Sequence, residues 1–289
     1  YIGIGITLLG GGFLIDYLTS IGGINIPLIG YLKPWQATFM IVGLPGLVLA
    51  VAAFYLKEPK RLEEQAYINK NVDRQNVFLH LKEHKKTLVP MFGGLIFMAL
   101  IFYSFSFWAP TMMIRAYNIS LSQAGFILGL ITIISSIAGT IFAGSAVDYL
   151  RNKNYSDAPV RAALFAVLLA LPPITILSFV NTEIGAWICI FLYLFFISSF
   201  APLGLLAVSG VSASNVKGQL AAIHAFLMMA FGLSLGPQLT AFFTDFVFMD
   251  PNNLKWSISA TGAIVLPISA LLFKVSLSRY KDSSEKLKV

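Results

Sequence analysis

An ionisable side chain inside a membrane is costly, so such residues are candidates for function wherever they occur. In the long uncharged stretches of this chain, only His224 clearly qualifies. Imidazole titrates at about pH 6.5, which would allow this residue to take up and release protons. His224 lies ~7 Å beyond Gln219 along a helix rising 1.5 Å per residue. It is therefore a proton-coupling candidate, and a packed or interfacial histidine is the competing interpretation.

Glycine-rich segments are the second notable feature. In a membrane helix, small residues let two backbones approach closely. The run Gly10, Gly11 and Gly12 and the pair Gly232 and Gly236 fit this role. Pro237, directly after Gly236, is expected to add a bend. Helix packing is the main interpretation, and direct contact with a bound molecule is the alternative for the first run.

No other constellation of reactive residues is present in the uncharged segments. Cys189 is the single cysteine, so it can form neither an internal disulfide nor a cysteine cluster for a metal. The segments contain no cluster of His, Asp and Glu, no Ser–His pairing and no phosphate-binding loop of the Gly-x-x-x-x-Gly-Lys type. We therefore expect neither an enzyme nor a bound cofactor or metal.

The elements that carry these residues are organised around one charged stretch, residues 57–86. It holds thirteen of the thirty-three charged side chains, whereas uncharged apolar segments lie on both sides. About 20 such residues cross the hydrocarbon core of a bilayer as a helix. Two segments precede the stretch and six follow it. The predicted helices are approximately 1–17, 36–56, 88–114, 121–147, 160–181, 185–211, 218–247 and 256–275. We expect a loop at residues 20–33 and an interruption of the second helix at residues 43–46.

The composition excludes a soluble protein. Apolar residues make up 57% of the chain and charged residues 11%, against roughly 25% charged in soluble domains. The net charge of +7 does not indicate nucleic-acid binding, because the basic residues lie between predicted spans. The chain opens directly on an apolar segment without a charged leader. We interpret it as a fragment of a longer multi-pass membrane protein.

The distribution of basic residues predicts the orientation. Seventeen Lys and Arg fall on the side of the charged stretch and the C-terminus, and three fall on the other side. Basic residues concentrate in cytoplasmic connections. The large loop and the C-terminus are therefore predicted to be cytoplasmic. A helix over residues 76–86 would place Val77, Phe78 and Leu81 on one side and lysines 82, 85 and 86 on the other. This arrangement is typical of a short helix on the membrane surface.

Several motifs resemble the major facilitator superfamily (MFS) of twelve-helix transporters. Residues 35–39, 43–46 and 58–61 resemble the sixth helix of the family and its exit. Residues 144–151, Gly-Ser-Ala-Val-Asp-Tyr-Leu-Arg, resemble the second copy of its Gly-x-x-x-Asp loop motif. Residues 108–125 resemble the end of the seventh helix and the start of the eighth. Gly232, Gly236-Pro237, Asp245 and Asp250-Pro251 are similar to the eleventh helix of the spinster-like branch.

The resemblance implies an all-α MFS fold fragment. Residues 1–56 would be the last two helices of the N-terminal bundle, and 57–87 the loop between bundles with its interfacial helix. Residues 88–275 would form the complete six-helix C-terminal bundle, and 276–289 a cytoplasmic tail. The loop motif departs from the family pattern, because Arg151 and Lys153 replace its tight basic cluster. The first four helices and the other copy of that motif are not in this sequence.

The resemblance also implies which residues line a cavity and which form gates. The seventh and tenth helices face the cavity in this family. The implied cavity residues are Tyr103, Ser104, Phe107, Trp108, Tyr193, Ser198 and Ser199; lipid-facing aromatics and hydroxyls bonded to their own helix are the alternative. Gly144, Asp148 and Arg151 would form a gate, with a plain solvated pair as the alternative. Arg115 and Asp245 are candidates for an external latch.

The implied function is secondary active transport by alternating access, with a small amphipathic or lipid-like organic solute as substrate. Transport of sugar acids or other organic anions is the alternative substrate class. A non-transporting receptor or scaffold is the alternative of another class. The expected partners are the lipid bilayer, the solute and protons as the coupling ion. We expect a monomer in the cell membrane and no nucleic-acid partner.

Overall fold

The computed structural model describes residues 2–27, 30–55, 77–213 and 216–285. Eight helices within these ranges are long and apolar enough to cross a membrane. This confirms an all-α, multi-pass membrane protein with eight spans. Most of the charged stretch, residues 56–76, lies outside the described residues.

The first two spans flank a short hairpin. They are α1 (Ile2–Ser20) and α2 (Pro34–Ala53), and the strands β1 (Ile24–Ile26) and β2 (Gly30–Leu32) pair antiparallel between them. The hairpin stands where a loop was expected. We expected residues 43–46 to interrupt the second span, but α2 continues through Pro45. Proline is tolerated within membrane helices where neighbouring groups or local adjustments of the backbone satisfy the freed carbonyl.

Six further spans follow a short helix, α3 (Val77–Glu83). The first three are α4 (Lys85–Tyr117), α5 (Leu121–Asn152) and α6 (Ala158–Ile176), the last extended by a 3₁₀ turn at Leu177–Phe179. The fourth span is divided into α7 (Glu183–Ile197) and α8 (Phe200–Gly210). The fifth alternates α and π geometry: α9 (Lys217–Leu227), a π segment (Met228–Leu233), α10 (Ser234–Phe242) and a π segment (Phe243–Phe248). A 3₁₀ turn at Pro251–Asn253 leads into α11 (Leu254–Glu285).

The last helix is longer than the sequence predicted. We placed its end near residue 275 and assigned the following residues to a tail, but α11 continues to Glu285. Tyr280 and Ser276 account for part of this extension, because both are buried and hydrogen-bonded to other helices. The Tyr280 hydroxyl donates to the Ala207 carbonyl at 2.8 Å, and Ser276 Oγ to the Thr87 carbonyl at 3.2 Å.

The core of the bundle is built on α4. Its Met91, Leu95, Met98, Ile101 and Met112 are fully buried. Helix α11 packs along α4, and Ser269 Oγ donates to the Gly94 carbonyl at 2.8 Å. By contrast, only one residue of α2 is buried. The exposed apolar side chains of α2 suit a lipid environment, because a helix in a bilayer does not need to bury them against protein.

We call the end of the bundle that carries α3 and the α5–α6 connection the basic end. The opposite end carries the β hairpin and the start of α11.

Candidate functional site

The regular α-helix of the fourth span is interrupted at Ser198 and Ser199, although both residues keep αR backbone angles. This interruption, called the break below, is the centre of the candidate site. Pro202 has no backbone N–H, so the Ser198 carbonyl, four residues earlier, loses its helical donor. Both serines are buried, and Ser199 Oγ donates to the Phe196 carbonyl at 2.7 Å. Broken helices within a bundle place polar groups in the membrane interior, which is how many transporter sites are made.

Aromatic rings from α4, α7 and α8 surround the break. The Phe200 ring centroid lies 5.1 Å from that of Phe102 and 6.1 Å from that of Tyr103. Tyr193, one helical turn before the break, lies 4.9 Å from Phe105 between ring centroids. These rings form an apolar wall joining α4 to the α7–α8 break. Sequence analysis had named Tyr103 and Tyr193 but not their three phenylalanine partners.

Tyr193 contributes an unusual polar group to this wall. Its side chain is fully buried, and its hydroxyl has no hydrogen-bond partner among the described residues. Leaving a buried hydroxyl unpaired costs about 1–3 kcal/mol. A group held in that state is available to a polar atom of a bound molecule or to water. The hydroxyl oxygens of Ser136 and Thr140 on α5 are also buried and have no hydrogen-bond partner among the described residues.

A narrow cleft opens next to the wall. It lies where α1, α4, α5 and α7 meet, and its polar groups are Ser106 and Thr132. Phe105 and Leu194, which flank Tyr193 in space and in sequence, also line it. The site therefore offers mainly apolar and aromatic surface with a few hydroxyls. Such a lining accommodates an apolar or amphipathic molecule better than a strongly charged one.

The other sequence-predicted residues of α4 lie elsewhere. Ser104 is fully buried and its hydroxyl lies 2.6 Å from that of Thr240 on α10. Trp108 Nε1 donates to the Pro237 carbonyl at 2.9 Å. Both residues therefore tie α4 to α10. Phe107 is 63% exposed and packs edge-on against Trp108.

The fifth span packs on α4 through its glycines. A Cβ at Gly232 would lie 2.8 Å from Ala99 Cβ, and one at Gly236 would lie 2.4 Å from the Leu100 carbonyl oxygen. Pro237 cannot donate to the Leu233 carbonyl, and the preceding turns adopt the wider π geometry. A buried hydroxyl chain continues the contact: Thr240 Oγ1 lies 2.9 Å from Thr261 Oγ1 of α11. Sequence analysis missed this chain.

His224 is buried in the half of the bundle nearer the basic end. It is 6% exposed, and its Nε2 has no hydrogen-bond partner among the described residues. A Cβ on Gly204 of α8 would lie 2.4 Å from that nitrogen. Its ring centroid is 6.2 Å from that of Phe92. His224 thus sits between α4, α8 and α9 with one ring nitrogen unused.

A glycine seam joins α1 to α5. We give this name to Gly5 and Gly12 of α1 with Gly125 and Gly129 of α5. A Cβ at Gly129 would lie 2.7 Å from the Gly5 carbonyl oxygen, and one at Gly125 would lie 2.7 Å from that of Leu8. Of the run Gly10, Gly11 and Gly12 that was predicted to pack helices, only Gly12 belongs to the seam, because Gly10 and Gly11 face open space. The Gly125-x-x-x-Gly129 spacing was the sequence signal for this seam, and we missed it.

The seam ends in a polar contact at the end opposite the basic one. Ser122 Oγ donates to the Asp16 carboxylate and lies 3.3 Å from the Gly12 carbonyl oxygen. Nearer the basic end, a Cβ on Gly5 would meet Ile133. Helix α1 therefore holds the end of α5 that lies opposite the basic end.

The predicted gating residues are apart in this structure. Asp148 and Arg151 are exposed, and a Cβ on Gly144 would meet nothing within 4 Å. Arg115 donates to the Pro251 carbonyl at 3.1 Å, and Asp245 is exposed. Among the described residues the one salt bridge joins Asp157 and Arg161. The Arg115–Asp245 pair that we expected is thus not formed in this conformation.

Gln238 is a polar residue that sequence analysis did not single out. It is exposed in the middle of a span, two residues after Gly236 and therefore on the opposite side of the helix. A polar side chain facing hydrocarbon is costly. This side of α10 is consequently expected to face water or polar protein groups rather than lipid.

No group of three or more His, Cys, Asp or Glu side chains that could hold a metal ion occurs in the described part of the chain.

Comparison with known proteins decides the family. The model of the Major Facilitator Superfamily matches residues 1–237. The chain belongs to this superfamily. A Bacillus subtilis (strain 168) protein described as the uncharacterized transporter YybO is 21% identical over 266 residues, covering 84% of this chain and 59% of that protein.

Solved structures with the same fold include two of a bacterial homolog to the human lysosomal transporter Spinster. The inward-facing, occupied structure has a TM-score of 0.57 and 15% identity, covering 97% of this chain and 66% of that one. The inward-facing, unoccupied structure has a TM-score of 0.61 and 14% identity, covering 98% and 68%. The chain thus spans about three-fifths to two-thirds of the length of these MFS proteins.

Proposed function

We propose that the protein containing this chain is a secondary active transporter of the spinster-like branch, moving a small amphipathic or lipid-like organic solute by alternating access. The observation that carries the proposal is the broken fourth span with its aromatic wall and the unpaired Tyr193 hydroxyl. An apolar site with few hydroxyls suits a solute with a large apolar part and a small polar group.

The contacts of α1 support alternating access. Together α1 and α2 are the proposed last helices of the N-terminal bundle, and residues 88–275 the C-terminal one. The seam holds the two groups together at the end opposite the basic one. We propose that this contact belongs to an inward-facing conformation, which is the state described for solved structures of the same fold.

Protons are the proposed coupling ion, and His224 is the candidate in this part of the protein. Its buried, unused Nε2 has room for a proton but no fixed partner for it. Asp148 and Arg151 are proposed to form contacts when the basic end closes. The Asp148 carboxylate would then accept hydrogen bonds from a neighbouring helix terminus.

The spans described here carry no cationic side chain at the proposed site, and a sugar acid or other organic anion would need one. This disfavours the alternative substrate class unless the rest of the protein supplies the charge. No observation favours a receptor or scaffold over a transporter.

Flux measurements test the proposal. The intact protein is reconstituted into liposomes and offered lysolipids, fatty-acid-like solutes and sugar acids, with and without an imposed pH gradient. We expect uptake of one amphipathic class, reduced in Asp148→Asn while binding persists, and loss of pH dependence in His224→Gln. Absence of flux for every solute, with folded and correctly oriented protein, would indicate a receptor or scaffold.

A further inference from the structure

The corner of the bundle around α3 combines exposed apolar and basic side chains. We call this corner, formed by α3, the first turn of α4 and residues 274–283 of α11, the α3 corner. Val77 and Leu81 pack on the core, whereas Phe78 and Leu79 are 75% and 49% exposed. One face of α3 is thus used for packing, and another presents apolar side chains outward at the end of a membrane span.

Basic side chains surround these apolar ones. Lys82, Lys85 and Lys86 are exposed, and Arg279 is brought close because Thr87 Oγ1 lies 3.3 Å from the Arg279 carbonyl oxygen. The described part of the corner has six basic residues against two acidic ones. None of these four basic side chains forms a salt bridge with any described residue. Their charge is therefore available to an external anion.

A hydrogen bond to the residue that follows α8 anchors the corner. His80 is fully buried, and its Nε2 donates to the Val211 carbonyl at 2.8 Å. Its ring lies 4.5 Å from that of His84 between centroids. Thr87 and Ser283 hydroxyls, 2.8 Å apart, join α4 to α11 on the same side. The basic and apolar groups are thus held in one arrangement before any ligand binds.

We propose that the α3 corner is a binding site for an anionic phospholipid of the adjacent leaflet. Phe78 and Leu79 would contact the acyl chains, and Lys82, Lys85 and Lys86 the headgroup phosphate. Apolar side chains beside basic ones match the two halves of a lipid, whereas a soluble anion would leave Phe78 and Leu79 in water. This site is separate from the proposed solute site and does not depend on transport.

Native mass spectrometry of the intact protein tests the site. Protein is purified from mixed phosphatidylglycerol and phosphatidylcholine, and the retained lipids are counted for wild type, Lys82→Gln/Lys86→Gln and a control, Lys153→Gln/Lys217→Gln. The control removes two exposed lysines from elsewhere at the basic end. A basic residue near an anionic surface contributes about fivefold in affinity.

Two lysines at about fivefold each should lower the affinity for phosphatidylglycerol by about 25-fold, so we expect the corner double variant to retain much less of this lipid than wild type does. The control should stay within about twofold of wild type, since a lysine away from the site adds little specific affinity. Phe78→Ser should also lower retention without altering charge. Equal losses in both double variants, or no loss in either, would overturn the proposal. Circular dichroism and monodispersity check that each variant is folded.

Discussion

The glycine seam gives the sharpest prediction, for Gly129→Ala. A Cβ at this position would lie 2.7 Å from the Gly5 carbonyl oxygen and 2.6 Å from Leu9 Cγ. Ordinary contacts begin at 3.4 Å, so α1 and α5 must separate by about 0.7 Å or rotate. Overpacking of this kind costs about 1–3 kcal/mol. We therefore expect the closed arrangement of this end to lose roughly 5-fold to 150-fold in population.

The matched control is Gly144→Ala on the same helix, where the added methyl group would meet nothing within 4 Å. Both changes carry the same gain in helix propensity, so any difference between them reports on the seam. Spin labels replace Tyr17 and Leu121, both exposed beside the Asp16–Ser122 contact, in a Cys189→Ser background. Double electron–electron resonance then measures the distance distribution between α1 and α5.

We expect a dominant short distance in the parent and in Gly144→Ala, and a shift to longer distances in Gly129→Ala. An unchanged distribution in Gly129→Ala would refute the interpretation of the seam as a tight contact. A shift of equal size in Gly144→Ala would refute it as well, since propensity alone would then account for the effect.

Three further predictions concern the bundle interior, and each is measured by thermal unfolding in detergent. Thr240→Val leaves the Ser104 hydroxyl without its partner and should lower the free energy of unfolding by about 0.6–1.7 kcal/mol. The control Thr175→Val should lower it less, because that hydroxyl bonds only its own helix. Equal unfolding midpoints in the two variants would contradict this. Tyr193→Phe removes an unpaired buried hydroxyl and should leave stability unchanged or raised, while weakening solute binding in the intact protein; a marked loss of stability would show a hidden partner. Gly204→Ala forces a methyl group against His224 and should destabilise by about 1–3 kcal/mol; a neutral effect would show that the histidine ring can move freely aside.

The number and order of the spans could be predicted from the sequence because uncharged apolar runs of this length have one stable structure in a bilayer. Boundaries were less predictable. We expected residues 43–46 to interrupt the second span, yet α2 continues through Pro45, whereas the fourth span is interrupted just before Pro202. The difference depends on the neighbours of each proline, which a linear pattern does not contain. The extension of α11 depends on Tyr280 reaching α8, which is a contact distant in sequence.

The candidate site was predictable only in part. Helical spacing placed Tyr103 and Trp108 on α4 but could not decide which helix each would face. In the structure Tyr103 faces the break in the fourth span, and Ser104 and Trp108 face α10. The hydroxyl chain through Thr240 and Thr261 could not be predicted from the sequence, because threonines in membrane helices usually bond their own backbone. Pairing across helices requires the rotation of each helix, which only the packed structure gives.

Alternating access requires the pair α1–α2 and the six-span bundle to move apart and together during transport. A reversible cross-link at the seam tests this requirement. Asp16→Cys/Ser122→Cys in a Cys189→Ser background places two thiols where the carboxylate and hydroxyl now meet. Uptake of the transported solute by the intact protein in liposomes is measured after oxidation and again after reduction. We expect oxidation to abolish uptake and reduction to restore it, with each single cysteine variant unaffected. Undiminished uptake in the cross-linked protein would contradict alternating access through this seam.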